Sequence, residues 1–386
     1  MDSDIYIAKC DSYDGDAIYK LLLEFFGYIG GAEKWIKPGM EVLIKPNLCL
    51  AHPPEMAITT HPTVIEQAAR IAMECGANVS IGDNPIGKFD QRHISRIWEV
   101  AGMNAIVERL GCGKSILDKK GFRKETFELN GNTADYYISR EYLSADLVIN
   151  IPKFKTHALM GFTGAVKNIY GIIPGRSKLR LHGFAPGVRE FSRIIADVYS
   201  KRIPEVTIMD AVEGLEGNGP GTGGVKRKVG LLMASSDGVL LDSICSRVIG
   251  VDPNDIATNI SAREKGLGSM NPRNVYLSGI GRLEDAYLRD FKIPSTMRYK
   301  NSKVVEKLFN IARFKIRIQP DKCKDCFLCF KNCPVEAIGQ AAGKRLQINE
   351  AQCIQCLCCL ELCPHGAVDA STSRFYSELK RLRARS

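Results

Sequence analysis

Residues 323–364 read C-x2-C-x2-C-x3-C-P twice. The first copy is Cys323, Cys326, Cys329, Cys333 and Pro334; the second is Cys353, Cys356, Cys359, Cys363 and Pro364. The offset of 30 residues between copies makes this an internal repeat. Soft thiolates at this spacing select iron–sulfur clusters. A structural zinc site would take four ligands, usually as C-x2-C pairs around a long spacer, and eight cysteines in two tight runs do not fit that pattern. A disulfide framework belongs to small secreted chains, whereas this chain has 386 residues.

The repeat resembles the bacterial-type 2×4Fe–4S ferredoxins. The resemblance implies two 4Fe–4S clusters, with the fourth cysteine of each run serving the other cluster. Cys323, Cys326, Cys329 and Cys363 would then hold one cluster, and Cys353, Cys356, Cys359 and Cys333 the second. Cys358 stands beside Cys359. The x2 spacing from Cys356 favours Cys359 as the ligand and leaves Cys358 as a small buried hydrophobe.

The rest of the chain, roughly 310 residues, is enough for one large domain or two smaller ones. Hydrophobic content of 45% and charged content of 25% are ordinary globular values. Cysteine use is split. Nine of the 14 fall within 323–363, and Cys10, Cys49, Cys75, Cys112 and Cys245 are scattered elsewhere, as reduced core thiols would be. The expected setting is a reducing cytoplasm, in an organism with anaerobic habits that tolerates oxygen-sensitive clusters. The acidic start, Met1-Asp2-Ser3-Asp4, has no signal-peptide pattern. No twin-arginine signal or run of 18 apolar residues occurs, so no transmembrane segment is expected. The formal charge is +10, with basic residues gathered at 176–193, 300–317 and 374–385. Such patches suit an acidic redox partner protein or an anionic small molecule. Nucleic acid is disfavoured, because no recognition motif accompanies the charge.

Strand and helix patterns alternate along the first 280 residues. Strands are expected at Ile5–Ala8, Glu41–Lys45, Asn78–Gly82, Asp146–Ile151, Glu205–Met209, Val229–Ala234 and Asn274–Leu277, the fifth and sixth separated by a glycine-rich segment at 214–224. Helices are expected over Ala17–Phe26, 60–75, 91–101, 105–110, 187–200, 237–249 and 253–265, while 113–135 follows no clear pattern. This rhythm predicts an α/β domain with a largely parallel sheet over 1–280. A basic connector follows at 281–315, with one helix near 300–312. An α+β ferredoxin-like two-cluster domain then occupies 316–370, and a basic helix ends the chain in 371–386. Polar tips close several strands: Lys45 and Asn47, Asp83 and Asn84, Lys153 and Lys155. Open α/β sheets collect ligands beyond the carboxyl ends of their strands.

The densest polar stretch outside the cysteines is 150–183, with Lys153, Lys155, Thr156, His157, Lys167, Asn168, Arg176 and Lys178 among five glycines. Lysines can hold carboxylate or phosphate, and a histidine can move a proton near neutral pH. This stretch is similar to the signature of the "domain of unknown function 362" family. So are Ile44-Lys45-Pro46-Asn47-Leu48, Gly82-Asp83-Asn84-Pro85, Asp210-Ala211-Val212-Glu213-Gly214, Gly217-Asn218-Gly219-Pro220, and Ser236-Asp237 with Leu241-Asp242. The resemblance spans roughly residues 40–265; family members often carry a ferredoxin-like domain, and the family name assigns no activity. His157, Lys153, Lys155 and Lys167 are the catalytic candidates, and Lys45, Asn47, Asp83 and Asn168 the candidates for a substrate or cofactor pocket. Plain readings remain beside these: surface lysines after a strand, a structural histidine, a turn at Asp83-Asn84-Pro85, solvated loop carboxylates at Glu213 and Glu216.

Gly219–Gly224 spells G-x-G-x-x-G, but a strand follows it instead of a helix, so it is no dinucleotide fingerprint. Walker, zincin and C-x3-C-x2-C sequences are absent. The expected function is electron transfer by two 4Fe–4S clusters fused to a partner- or substrate-binding α/β domain. The alternatives are a low-potential oxidoreductase acting on an anionic small molecule near 150–183, and a scaffold with structural clusters. A flavin or further metal on the α/β domain is left open.

Overall fold

The computed structural model describes residues 3–87, 91–294, 297, 315–340 and 345–371. The helices expected near 300–312 and 373–384, with their basic residues, lie outside these. The strands in chain order are β1 (Ser3–Lys9), β2 (Glu41–Lys45), β3 (Asn78–Gly82), β4 (Gly113–Ser115), β5 (Phe122–Leu129), β6 (Asn132–Ser139), β7 (Leu147–Asn150), β8 (Lys153–His157), β9 (Gly161–Thr163), β10 (Val206–Gly217), β11 (Gly224–Ser235) and β12 (Pro272–Ser278). The main sheet runs β12-β1-β11-β10-β7-β2-β3-β4, with β8 laid on β10 and β9 on β8. Its pairings are parallel except at β11 and β9. The largely parallel α/β sheet expected from the sequence is therefore present.

Both faces of this sheet are buried, as parallel strands require. Alternation divides the side chains between two layers. Val42 and Ile44 enter one core with the helices Gly15–Tyr28 and Pro62–Glu74, while Leu43 enters the other with Ile194 and Val198. Local chemistry fixes the helix ends. The Asp14 carboxylate accepts from Ala17 N at 2.8 Å and starts the first helix, which then buries Ile18, Leu22, Phe25 and Phe26 at helical spacing. His61 caps the second, with Pro62 at its first position.

Two regions differ from the expectations. The stretch 113–135, without pattern in sequence, supplies edge strand β4 and most of the β5–β6 hairpin. The glycine-rich segment 214–224 does not separate two short strands. β10 and β11 continue through it as one ladder to the Gly217–Gly224 pair. Gly214 is there because β8 crosses close by: a Cβ on it would come 2.6 Å from the Phe154 carbonyl. The loop at the hairpin tip carries the G-x-G-x-x-G letters and packs against the cysteine module, where the Thr222 hydroxyl donates to the Cys363 carbonyl at 3.0 Å.

The cysteine module adds β13 (Lys315–Ile318), β14 (Ile338–Gln340), β15 (Leu346–Ile348) and β16 (Val368–Ser371), paired β13–β16 and β14–β15. Its halves repeat in structure as in sequence. Phe327 and Leu357 both sit at φ 60° ahead of one-turn helices. Ala337 N and Ala367 N donate to Cys333 Sγ and Cys363 Sγ at 3.3 and 3.2 Å. The described part of the expected connector packs on the α/β domain, with Ala286 and Phe291 in the core beside Phe154. No described helix is long and apolar enough to cross a membrane.

Candidate functional site

Strand β8 sets the geometry. Its period of two places Lys153, Lys155 and His157 on one face and Phe154 and Thr156 on the other. All three polar residues are buried, and each meets a different environment.

Lys153 is clamped. Its Nζ donates to Asp210 Oδ2 at 2.9 Å and to the Tyr13 hydroxyl at 2.6 Å. Tyr13 donates to Asp210 Oδ1 at 2.9 Å and stacks on His61. Burial pushes the Lys153 ammonium below its ordinary range, and Asp210 opposes that shift. Both residues are 0% exposed, so this is a closed, satisfied pair.

Lys155, two residues on, has no carboxylate partner among the described residues. Its Nζ donates to Asn47 Oδ1 at 2.7 Å and the Ile58 carbonyl at 2.9 Å, with Cys49 Sγ at 3.7 Å. Burial pushes its proton affinity down, and so does Lys167. Asn47 Nδ2 donates to Asn168 Oδ1 at 2.9 Å, and Asn168 Nδ2 to Asn150 Oδ1 at 2.8 Å, tying the loop after β2 and the one-turn helix Ala165–Asn168 to the end of β7. Beside them Lys45 Nζ donates to Asp83 Oδ1 at 2.8 Å, while Asp83 Oδ2 accepts from Leu48 N at 2.7 Å. This pair has room only because residue 171 is glycine: a Cβ there would lie 2.6 Å from Lys45 Nζ.

His157, the last of the row, points at the cysteine module. Its Nδ1 accepts from Leu159 N and Met160 N at 3.1 and 3.2 Å, so in the neutral ring Nε2 carries the proton. Nε2 lies 2.7 Å from Glu361 Oε1, at the end of the one-turn helix Cys358–Glu361. Burial and then Lys167 lower the His157 pKa to about 4, so the ring is neutral at pH 7. Burial works against ionisation of Glu361, but His157 and Lys167 outweigh it and hold that carboxyl well below its usual range.

Lys167 is half-buried and makes no hydrogen bond or ion pair to another described residue. It is close enough to Lys155, His157, Lys178 and His182 to lower the proton affinity of each. Lys178 is 3% exposed, and its one hydrogen-bond acceptor among the described residues is the Asn84 carbonyl. Burial brings its pKa down to about 7.

The sequence candidates thus divide. Lys45, Asn47, Asp83, Lys155, His157, Lys167 and Asn168 meet at the carboxyl ends of β2, β3 and β7 with the face of β8, and Lys153 sits apart in its own pair. Glu213 pairs with Lys226 across the hairpin at 3.1 Å, and Glu216 with Lys292 of the connector at 3.5 Å. Cys49, His52 and Glu361 were not anticipated. His52 is buried with Nε2 unpartnered, and burial, followed by Lys155, lowers its pKa to about 4. The nearest sequence signal for Cys49 and His52 is their closeness to Asn47; Glu361 gives none outside three dimensions.

In the module, Cys323, Cys326, Cys329 and Cys363 line one small cavity with Ile318, Leu346 and Val368. Cys333, Cys353, Cys356 and Cys359 line another with Ile316, Ile338 and Ile348. Four thiols in an apolar chamber are the donor set a 4Fe–4S group takes. No three His, Cys, Asp or Glu side chains among the described residues converge on a point suited to one metal ion. Thiols that wrap a cube are spread in this way. Cys358 lines neither cavity. It is buried with Leu50, Leu179, Cys356 and Leu362.

A thylakoid-associated protein of Synechocystis sp. is 29% identical over 299 residues, covering 77% of this chain and 89% of that protein. The lactate racemase apoprotein from Thermoanaerobacterium thermosaccharolyticum superposes with a TM-score of 0.38 at 15% identity, over 64% of this chain and 57% of that one. A family model described as a 4Fe–4S dicluster domain matches residues 315–364. The model for the domain of unknown function DUF362 matches residues 42–247, more than half of the chain. This is an iron–sulfur protein of the DUF362 family, with its 4Fe–4S domain placed after the family's α/β domain.

Proposed function

We propose that the chain is an electron-transfer protein with two 4Fe–4S clusters, one per four-cysteine cavity, and that it delivers electrons inward to a small molecule held at the lysine-rich end of the sheet. The observation that carries this reading is the shared wall. Leu50 and Leu179 of the α/β domain pack with Cys356, Cys358 and Leu362 of the module. One apolar layer therefore separates the second chamber from Lys155, Lys178 and Cys49. The first chamber has an exposed thiol at Cys326, although its Cys363 packs with Ala158 of the α/β domain. An outer entry and an inner exit make a relay with a direction.

When bound, the clusters supply single electrons, at potentials set by hydrogen bonds to sulfur and by exposure. The Ala337 and Ala367 amides aimed at Cys333 and Cys363 supply such bonds. The protein's own groups do the rest. Lys155 and Lys167 offer charge to a substrate anion. The neutral His157 holds a proton on Nε2 against Glu361. The apolar wall excludes water from the passage between cluster and site. The inward route favours a cluster-dependent reductase over a plain carrier, since a carrier has no use for the second chamber's buried wall.

The test is anaerobic reconstitution followed by iron analysis and dithionite reduction monitored by electron paramagnetic resonance. The expected result is about eight irons per chain, as two 4Fe–4S groups require, and a spin-coupled signal that appears and disappears reversibly. Fewer irons, or clusters that reduce only as the protein unfolds, would overturn the proposal and favour a structural role.

A further inference from the structure

We propose that Lys155, Lys167 and Lys178 form a binding site for a dianionic oxygen group, such as a phosphate monoester or a short dicarboxylate. This names the substrate class of the site described above, and it rests on the electron-transfer reading only for the purpose of binding.

The argument is a count of charges in a closed space. Four lysines, Lys45, Lys155, Lys167 and Lys178, share this end of the sheet, and Lys178 carries its full charge only below pH 7. The carboxylates that act on them are Asp83 and Glu361. Asp83 is engaged by Lys45 at 2.8 Å, and Glu361 faces His157 at 2.7 Å. His157 and His52 do not add to the positive charge when neutral. Lys155 and Lys178 are therefore buried facing neutral oxygens, and Lys167 has no described partner at all. A buried charge without a counter-charge is costly. Elsewhere the fold avoids that cost, as the Lys153–Asp210 pair two residues away shows. A ligand with two negative charges restores the balance here, and a monoanion restores half of it. His52 adds a second unmatched polar group: a buried ring nitrogen with no partner, within electrostatic reach of Lys155.

The experiment is calorimetric titration of the anaerobic, cluster-loaded full chain with inorganic phosphate, malonate and acetate at matched ionic strength. At least one dianion is expected to bind saturably and about ten-fold or more tighter than acetate, the worth of one charge-assisted contact. Lys167→Gln, at a half-exposed position, and Lys155→Gln are each expected to weaken that dianion about ten-fold with iron content unchanged. Acetate equal to both dianions, or dianion binding that survives both substitutions, overturns the proposal. The comparison of anions on the unaltered chain stands even if a variant fails to fold. Clusters that cannot be reduced would overturn the electron-transfer reading and leave the calorimetric result in place.

Discussion

Replacing Lys153 and Lys155 separately by methionine asks whether one strand face holds a structural lysine beside a functional one. Methionine keeps most of the stem's volume and removes the ammonium. At Lys153 the loss leaves Asp210 buried, 0% exposed, with only the Tyr13 hydroxyl and His61 N at 2.9 and 2.8 Å. Breaking a buried pair by removing one partner costs about 3–5 kcal/mol. At Lys155 the loss leaves two carbonyl-type acceptors, Asn47 Oδ1 and the Ile58 oxygen, short of a donor. That costs about 1–3 kcal/mol each. Against this, the chain no longer buries an ammonium without a counter-ion, which returns several kcal/mol. The net change at Lys155 is expected within about 1 kcal/mol of zero. Urea unfolding of the anaerobic holoprotein measures both. Trp35 and Trp98, the chain's two tryptophans, lie in or against the α/β core and report on that domain, and the clusters' visible absorption reports on the module. A Lys155→Met variant destabilised as much as Lys153→Met would refute the reasoning, because it would mean that Lys155 has a counter-charge after all.

Two further outcomes follow from the same geometry. Cys333→Ser is expected to damage the same cluster as Cys353→Ser, although the two residues belong to different runs, because both line one chamber; Cys358→Ser should leave iron content unchanged, and iron analysis with paramagnetic resonance of each variant checks all three. Lys178 folds with its pKa lowered to about 7 from an ordinary 10.5, so the folded state binds fewer protons than the unfolded one across that window. Stability through this group therefore rises with pH from about 7 to 10.5, and Lys178→Met should gain most over the unaltered chain at pH 6 and lose that advantage by pH 10.5, read from unfolding midpoints across pH.

Much of this was legible from residue patterns, and the exceptions have physical causes. Strand runs such as Glu41–Lys45 declare themselves because a parallel strand buried on both faces must be nearly all apolar. The polar tips Lys45, Asn47 and Asp83 were legible for the complementary reason: polar residues at the end of a buried run need a partner or a ligand. The cysteine spacing marked the repeat, but the grouping of its thiols came from the ferredoxin resemblance, in which the fourth cysteine of each run serves the other cluster. The long β10–β11 ladder was hidden because Gly214, Gly217, Gly219 and Gly221 read as a loop, while Gly214 in fact makes room for β8. The alternation in Lys153-Phe154-Lys155-Thr156-His157 was visible as letters, yet nothing local distinguishes Lys153 from Lys155. What separates them is Asp210, brought to Lys153 by the pairing of β8 with β10, and the absence of any such residue opposite Lys155. The same holds for Glu361. Read within its own module it is one acid between two cluster cysteines, and His157 within its own is one histidine after a strand. Only the docking of module on sheet makes them a pair, and that docking turns a ferredoxin-like repeat and a lysine-rich sheet edge into two sides of one site.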